Sequence, residues 1–493
     1  MISAHLPALQ VVVPLLAAPL IVLARRGAAG WAIATAASFA SLAIAVALFL
    51  QVRDTGVISY AIGSWPPPWG IEYRVDAVNS FVLVLVGALA SVVAPYAWRS
   101  VAAEVPEDQH YLCYAMFCLV LAGLLGIAIT GDAFNLFVFL EISSLASYVL
   151  IALGRDRRAL LASYQYLVMG TIGATFYVIG VGLLYLMTGT LNLADLAARI
   201  GDVQGSRPVL AALAFITVGV CLKLALFPLH YWLPNAYAYS PSVVAAFLAG
   251  TATKVSIYVL LRFYFSVFGE AATFVALPMR EIFLVLSLAA MFLASLAAVF
   301  QDNLKHMLAY SSVGQIGYIT LGISLDNEAG LTGSMLHLFN HGITKSALFL
   351  LAGCFVFRLR SVQFADLAGV GRTMPLTTAG IVVGGLSLVG VPGMAGFVTK
   401  WYLVLGALDA GSWVIAFAPV VSSLIALWYV WRFVETAYFQ EPSAAAAAAK
   451  EAPTVLLGPA LLGAAACVYF GFDTSFTVGA ASRAAEALLA GMR

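Results

Sequence analysis

Apolar runs of about 18–25 residues recur along nearly the whole of this sequence, separated by short polar loops. Coiled as a helix, a run of that length matches the hydrocarbon thickness of a bilayer. Backbone groups inside lipid can be satisfied only in helices or closed barrels. Barrel strands would alternate apolar and polar residues over about ten positions, and these runs do not alternate. Composition agrees, since 63% of the 493 residues are hydrophobic and only 10% are charged. The expected fold class is therefore an all-α integral membrane protein with about fourteen transmembrane helices. They are placed at roughly 6–24, 31–51, 77–98, 110–130, 132–153, 163–189, 208–238, 241–267, 280–300, 307–325, 331–357, 375–405, 412–438 and 452–472.

The remaining features narrow the function. A net charge of +1 argues against a nucleic-acid partner. Cys113, Cys118, Cys221, Cys354 and Cys467 lie in apolar runs without CxxC spacing and read as packing residues. Arg25 and Arg26 follow the first run instead of preceding it, so that run reads as an anchored span, not a signal peptide. Segment 474–491 carries scattered Arg and Glu and suggests a short interfacial helix, and SAAAAAAK (443–450) suggests a linker. Counted with Arg262, Arg280 and Arg432 at the ends of the neighbouring runs, loops after odd-numbered runs hold twelve Lys and Arg against eight after even-numbered runs, mainly through RDRR (155–158) and FRLR (357–360). The positive-inside rule then puts both termini outside. No GxxxxGK[ST] phosphate loop, nucleophile constellation or set of redox-cofactor ligands is present, so no cofactor and no catalysis by this chain alone are expected.

Seven ionisable residues stand out inside the runs: Glu141, Lys223, Lys254, His337, His341, Lys345 and Lys400. Five formal charges would cost on the order of 15 kcal/mol at membrane depth if none were paired or neutralised. Glu141, flanked by Ser143, Ser144 and Ser147, reads either as a carboxylate tying two helices together or as the partner that keeps Lys223 protonated. His337, His341 and Lys345 are spaced i, i+4 and i+8 and so share one helix face. That row fits a proton or ion path, a structural polar seam, or a metal site. The metal reading lacks a Glu after His337 and a third ligand. Asp132, at the start of a run, reads as a helix N-cap.

Lys223 precedes Pro228, and Lys400 follows Val391-Pro392-Gly393, each within a run of about thirty residues, longer than one straight span needs. Interrupted helices at matching places in two halves point to inverted repeats and a site near the midplane. The chain is accordingly divided into 1–109, a first five-helix repeat at 110–267, a second at 280–438, and a C-terminal part at 439–493. A proton held by the Glu141–Lys223 pair would pass by Lys254 to His337, His341 or Lys345 and then to Lys400, with histidine suited to the middle of the relay.

FNLFVFLEISSLASY, LKLALFPLHYWLPNAYAYSPS, NLKHMLAYSSVGQIGYI, HLFNHGITKSALFLLAG and VPGMAGFVTKWYL together resemble the proton-translocating antiporter-like family. That family comprises the large membrane-arm subunits of respiratory NADH:quinone oxidoreductase and the A-type and D-type subunits of Mrp-type cation/proton antiporters. The resemblance covers roughly 70–470, and the wording and length are most similar to the D-type Mrp subunits. It implies that Glu141 and Lys223 are the acid–lysine pair of a first half-channel and Lys254 the connecting lysine. His337 and His341 would be central relay groups and Lys400 the terminal lysine of a second half-channel. Lys305 and His306 match a motif position at a span end and imply a gating or structural role.

Two functions follow as expectations. The first is proton translocation coupled to export of Na+ or another monovalent cation, as one subunit of a hetero-oligomeric antiporter in the plasma membrane. The second is the proton-pumping membrane subunit of a redox-driven complex, such as an NADH dehydrogenase or membrane-bound hydrogenase. An ion-conducting module of a bicarbonate- or CO2-uptake complex is a third. The expected partners are other membrane subunits, protons, possible Na+ and the lipid bilayer.

Overall fold

The computed structural model describes residues 2–270, 273–274 and 277–491. The chain opens with α1 (Leu6–Ala24) and α2 (Gly27–Thr55), then a hairpin of β1 (Ile58–Ala61) and β2 (Glu72–Val75), and α3 (Ala77–Glu104). The first half continues with α4 (His110–Ile129), α5 (Ala133–Ala152), α6 (Arg158–Thr188), short α7 (Leu193–Ile200), α8 (Arg207–Leu224), α9 (Leu233–Tyr239) and α10 (Ser242–Leu261). The second half has α11 (Met279–Ala289), α12 (Ser295–Val299), α13 (Leu304–Leu325), α14 (Glu328–Leu359), short α15 (Phe364–Leu367), α16 (Pro375–Val389), α17 (Ala395–Asp409) and α18 (Trp413–Val434). The one-turn α19 (Ala444–Ala448), α20 (Thr454–Phe472) and α21 (Ser475–Ala490) complete it.

Twelve helices among the described residues are long and apolar enough to cross a membrane. The other two expected runs form α13 and the broken pair α16–α17. The all-α expectation holds, with one small hairpin added to it. Residues 58–75 form an antiparallel hairpin in which Ile58 faces Val75 and Ala61 faces Glu72. This segment lies between two apolar runs, where two short strands can pair across the turn-forming SWPPPWG. The expected interfacial helix at the C-terminus is also more deeply placed than its charges suggested. Ala480, Ala481, Ala484, Ala485 and Leu488 of α21 are buried against α14 and α3.

Two features position the helices that carry the candidate side chains. One is close packing at small residues, which lets helix backbones approach. A Cβ at Gly219 of α8 would come within 2.6 Å of the Gly173 carbonyl on α6, and one at Gly342 of α14 within 2.9 Å of the Gly250 carbonyl on α10. The other is a pair of latches. Asp132 caps α5 by accepting from Asn135 N at 2.7 Å and forms a strand-like bridge with Asn192 ahead of α7. Asn303 caps α13 and forms the same bridge with Gln363 ahead of α15. One sequence distance separates Asp132 from Asn303, Asn192 from Gln363, the first residues of α5 and α13, and those of α10 and α18. The latches lie at opposite ends of the bundle. The first sits beside the hairpin, with Gly131 N donating to Glu72 O, and the second beside the C-terminal ends of α3 and α5.

A buried ion pair ties α3 to the end of α10. The Arg262 guanidinium donates to both carboxylate oxygens of Asp76 at 2.5 Å, while Asp76 also caps α3 through Val78 N and Asn79 N. Removing one member of such a pair leaves a buried charge unmatched. Asp76→Ala is therefore expected to lower stability by about 3–5 kcal/mol, with Asp76→Ala/Arg262→Met recovering most of the loss. Thermal unfolding of the purified chain in detergent checks this; an unchanged midpoint for Asp76→Ala would show that the pair does not hold the helices.

Candidate functional site: a row of buried cations between two broken helices

α8 stops at Leu224 because Ala225 adopts the left-handed conformation (φ 59°) and Pro228 follows within the turn. The break frees carbonyls at the end of α8 that must find donors. Leu226 N donates to Cys221 O at 3.1 Å, and the Trp232 indole N–H donates to Leu222 O at 2.9 Å. That indole lies flat on Tyr166, with ring centroids 3.8 Å apart and an interplanar angle of 4°. Lys223 occupies the last turn of α8, where the helix dipole favours a cation. Its Nζ donates to Ser144 Oγ at 2.7 Å and lies 3.4 Å from Glu141 Oε1, both on α5. The lysine side chain is only 5% exposed and the Glu141 side chain 22%. Of the three serines near Glu141, only Ser144 joins the site. Ser143 and Ser147 turn back to carbonyls of α5 itself.

The central groups lie where α10 crosses α14. Lys254 is fully buried and donates to Ala249 O at 2.5 Å and Thr253 Oγ1 at 3.3 Å. It is near enough to act electrostatically on His337, His341 and Lys345. The His337 and His341 rings stack in parallel, 5.4 Å apart, and their four nitrogens have no hydrogen-bond partner among the described residues. Lys345, one turn further, reaches α13 instead, donating to Leu308 O at 2.7 Å and to Ser311 Oγ. No group of three His, Cys, Asp or Glu converges as a metal site among the described residues.

At the second break α16 ends at Gly390 (φ 82°) and α17 begins at Ala395. Lys400 on α17 reaches back to the freed carbonyls. Its Nζ donates to Leu388 O at 3.1 Å, Val389 O at 2.7 Å and Ser423 Oγ of α18 at 2.6 Å, and it stands 4.7 Å above the Tyr318 ring. Asn340 of α14 braces the start of α17, donating to Ala395 O and Thr399 Oγ1. Six of the seven expected residues are buried, in a band of helices packed from α8 through α10 and α14 to α17, and Glu141 is partly exposed at its edge; only Lys223 has a carboxylate partner among the described residues. Lys305 lies outside that band. It donates to Ser240 O at 3.2 Å beside a cavity of about 320 Å³ bordered by Glu104, Arg155, Asp156 and Arg158. Neighbouring His306 packs edge-on against Tyr239.

Sequence reasoning did not reach Trp232, Ser311, Ser423 or Tyr318, and it named Ser144 only together with Ser143 and Ser147. Hydroxyl and aromatic partners carry no signature of their own in an apolar run, although Trp232 lies four residues after the proline that marks the break.

The band coincides with a known sequence profile. Residues 130–426 match the family described as NADH:quinone oxidoreductase/Mrp antiporter, transmembrane. The chain belongs to that family. Within it, the chain is 44% identical over 443 residues to the N-type subunit of the NADH-quinone oxidoreductase of Desulforudis audaxviator, covering 89% of this chain and 87% of the relative. It is 30% identical over 400 residues to the D-type subunit of the Na(+)/H(+) antiporter of Alkalihalophilus pseudofirmus, covering 81% and 80%. Its fold matches a chain of the Mrp complex from Dietzia sp. DQ12-45-1b with a TM-score of 0.91 at 28% identity, over 99% of this chain and 98% of that one. A chain of an archaeal membrane-bound sulfane sulfur reductase matches equally well.

The family fold makes the Trp232 contact testable. Trp232→Phe keeps the stacking ring but leaves the Leu222 carbonyl only the long 3.4 Å bond from Ala225 N, which should cost about 0.5–1.5 kcal/mol. Thermal unfolding in detergent reads the loss, and a midpoint equal to wild type would mean that another group covers that carbonyl.

Proposed function

We propose that this chain carries protons as one membrane subunit of a multisubunit monovalent cation/proton antiporter. The observation that carries the reading is the buried Lys223–Glu141 contact at a helix break, followed by cations that lack carboxylate partners among the described residues. Close to Glu141, Lys223 is stabilised as the ammonium ion; drawn away from it, the charged form loses that support and releases its proton. Lys254 is the next acceptor, and from it the proton moves to the His337–His341 stack, Lys345 and then Lys400. Transfer between groups this far apart runs over water, which also suits imidazole nitrogens without protein partners. The shared spacing of the two latches supports two inverted repeats, at 110–267 and 280–438. We place the protein in the plasma membrane with both termini outside, which puts Arg155, Arg158 and Arg360 around the cavity on the cytoplasmic face.

A second reading is favoured by one observation, the 44% identity to a subunit of an NADH-quinone oxidoreductase. In it the same relay is driven by a redox partner, and the chain itself still holds no cofactor.

Lys223→Ala is expected to reduce proton translocation at least tenfold, which corresponds to about 1.4 kcal/mol or more in the rate-limiting barrier, without loss of assembly. Pyranine quenching in inside-out vesicles measures it, and undiminished transport would overturn the relay. Co-purification of a tagged chain in mild detergent separates the two readings. Small hydrophobic subunits alone support the antiporter; flavin, iron–sulfur or hydrogenase subunits support the redox complex.

A further inference from the structure

The two breaks hold their lysines in different ways. At the first, a tryptophan covers a freed carbonyl and the lysine ammonium is free to meet a carboxylate. At the second, the ammonium itself occupies a nest of oxygens made of two carbonyls from the C-terminal end of α16 and the Ser423 hydroxyl, at 2.6–3.1 Å. The Tyr318 ring face closes one side. Gly390 permits this approach, because its φ of 82° turns the chain and a Cβ there would lie 2.7 Å from Lys400 Cδ.

Carbonyl and hydroxyl oxygens at these distances are the ligands that replace the hydration shell of an alkali cation. A helix C-terminus and an aromatic face both favour positive charge. The nest therefore has the chemistry of a monovalent cation site, and its present occupant is a cation built into the chain.

We propose that the nest formed by Leu388 O, Val389 O and Ser423 Oγ binds Na+ or K+ when the Lys400 amine has lost its proton and withdrawn. The inference deepens the antiporter reading and rests on it for a place in a transport cycle. Lys400–NH3+ releases H+ to become the neutral amine, and one alkali cation enters, so the site keeps a single positive charge throughout. Proton and metal ion exclude each other one for one. The titratable groups that face Lys400 are Tyr318 and His337, with Tyr429 behind Tyr318; no carboxylate among the described residues bonds to it. Loss of the cation at low pH is then the titration of Lys400 itself.

Equilibrium binding of radioactive sodium and rubidium to the purified complex containing this chain tests the proposal. Wild type should bind one ion per chain at alkaline pH and release it on acidification. Lys400→Ala should bind across the whole pH range, and Lys400→Ala/Ser423→Ala about tenfold more weakly, the effect of one lost oxygen ligand. The sodium and rubidium arms show which ion the nest prefers. Absence of saturable binding by wild type at alkaline pH, or an affinity unmoved by Ser423→Ala, overturns the site. The wild-type titration decides the matter even if the Lys400 variants fail to assemble. Binding is read without transport, so the two ideas fail separately. Loss of transport in Lys223→Ala with no cation binding removes the nest only, and cation binding with intact Lys223→Ala transport removes the relay only.

Discussion

A helix interrupted inside a bilayer must find partners for the carbonyls and amides it frees, because lipid supplies none. Both breaks in this chain obey that constraint, and the positions of Lys223 and Lys400 follow from how they do so. At Leu222 the donor is an indole held flat against Tyr166. At Leu388 and Val389 the donor is the Lys400 ammonium itself. One lysine is thereby left to an acid and the other to the backbone. Two halves with the same latch spacing thus hold their charges in unlike chemical surroundings.

The band between the breaks follows the same rule in a weaker form. Lys254 and Lys345 are solvated by carbonyl and hydroxyl oxygens of α10 and α13. Such dipoles stabilise an ammonium less strongly than a carboxylate does, and they tolerate the neutral amine as well. A row of cations held this way can gain and lose protons without leaving an unmatched countercharge in the core. The buried Arg262–Asp76 pair is the contrast. Its two 2.5 Å hydrogen bonds hold the two charges together in a buried place, and it serves as an anchor between α3 and α10.

Much of this was legible in the sequence, for identifiable reasons. Run length showed the spans. Pro228 and Pro392 marked the breaks, and a charged residue in an apolar run needed no further signal. The i, i+4, i+8 spacing placed His337, His341 and Lys345 on one helix, though not the turn of Lys345 toward Leu308. What escaped was what depends on a partner far along the chain. Backbone carbonyl ligands have no sequence signature, so the surroundings of Lys400 could not be read. Which of Ser143, Ser144 and Ser147 meets Lys223 is a matter of helix phase. Arg262, near the end of its run, meets Asp76 from 186 residues earlier, a pairing that local spacing does not show. The alanines of α21 gave a weak apolar signal, yet small size is what lets that helix lie close against α3 and α14.

The two latches carry a mechanical consequence. α5, which holds Glu141 and Ser144, is pinned at its N-terminal end by the bridge between Asp132 and Asn192. α13, which holds Ser311 and Tyr318, is pinned in the same way at Asn303 and Gln363, but at the other face of the bundle. Each helix is therefore bridged at one end and held at the other only by isolated hydrogen bonds, from Arg155 to Glu104 O and Val105 O beyond α5 and from Arg280 to Asp326 beyond α13, and the bridged ends are diagonal to each other. Like two doors hung from opposite jambs, a similar small tilt in each would widen the bundle at opposite membrane faces.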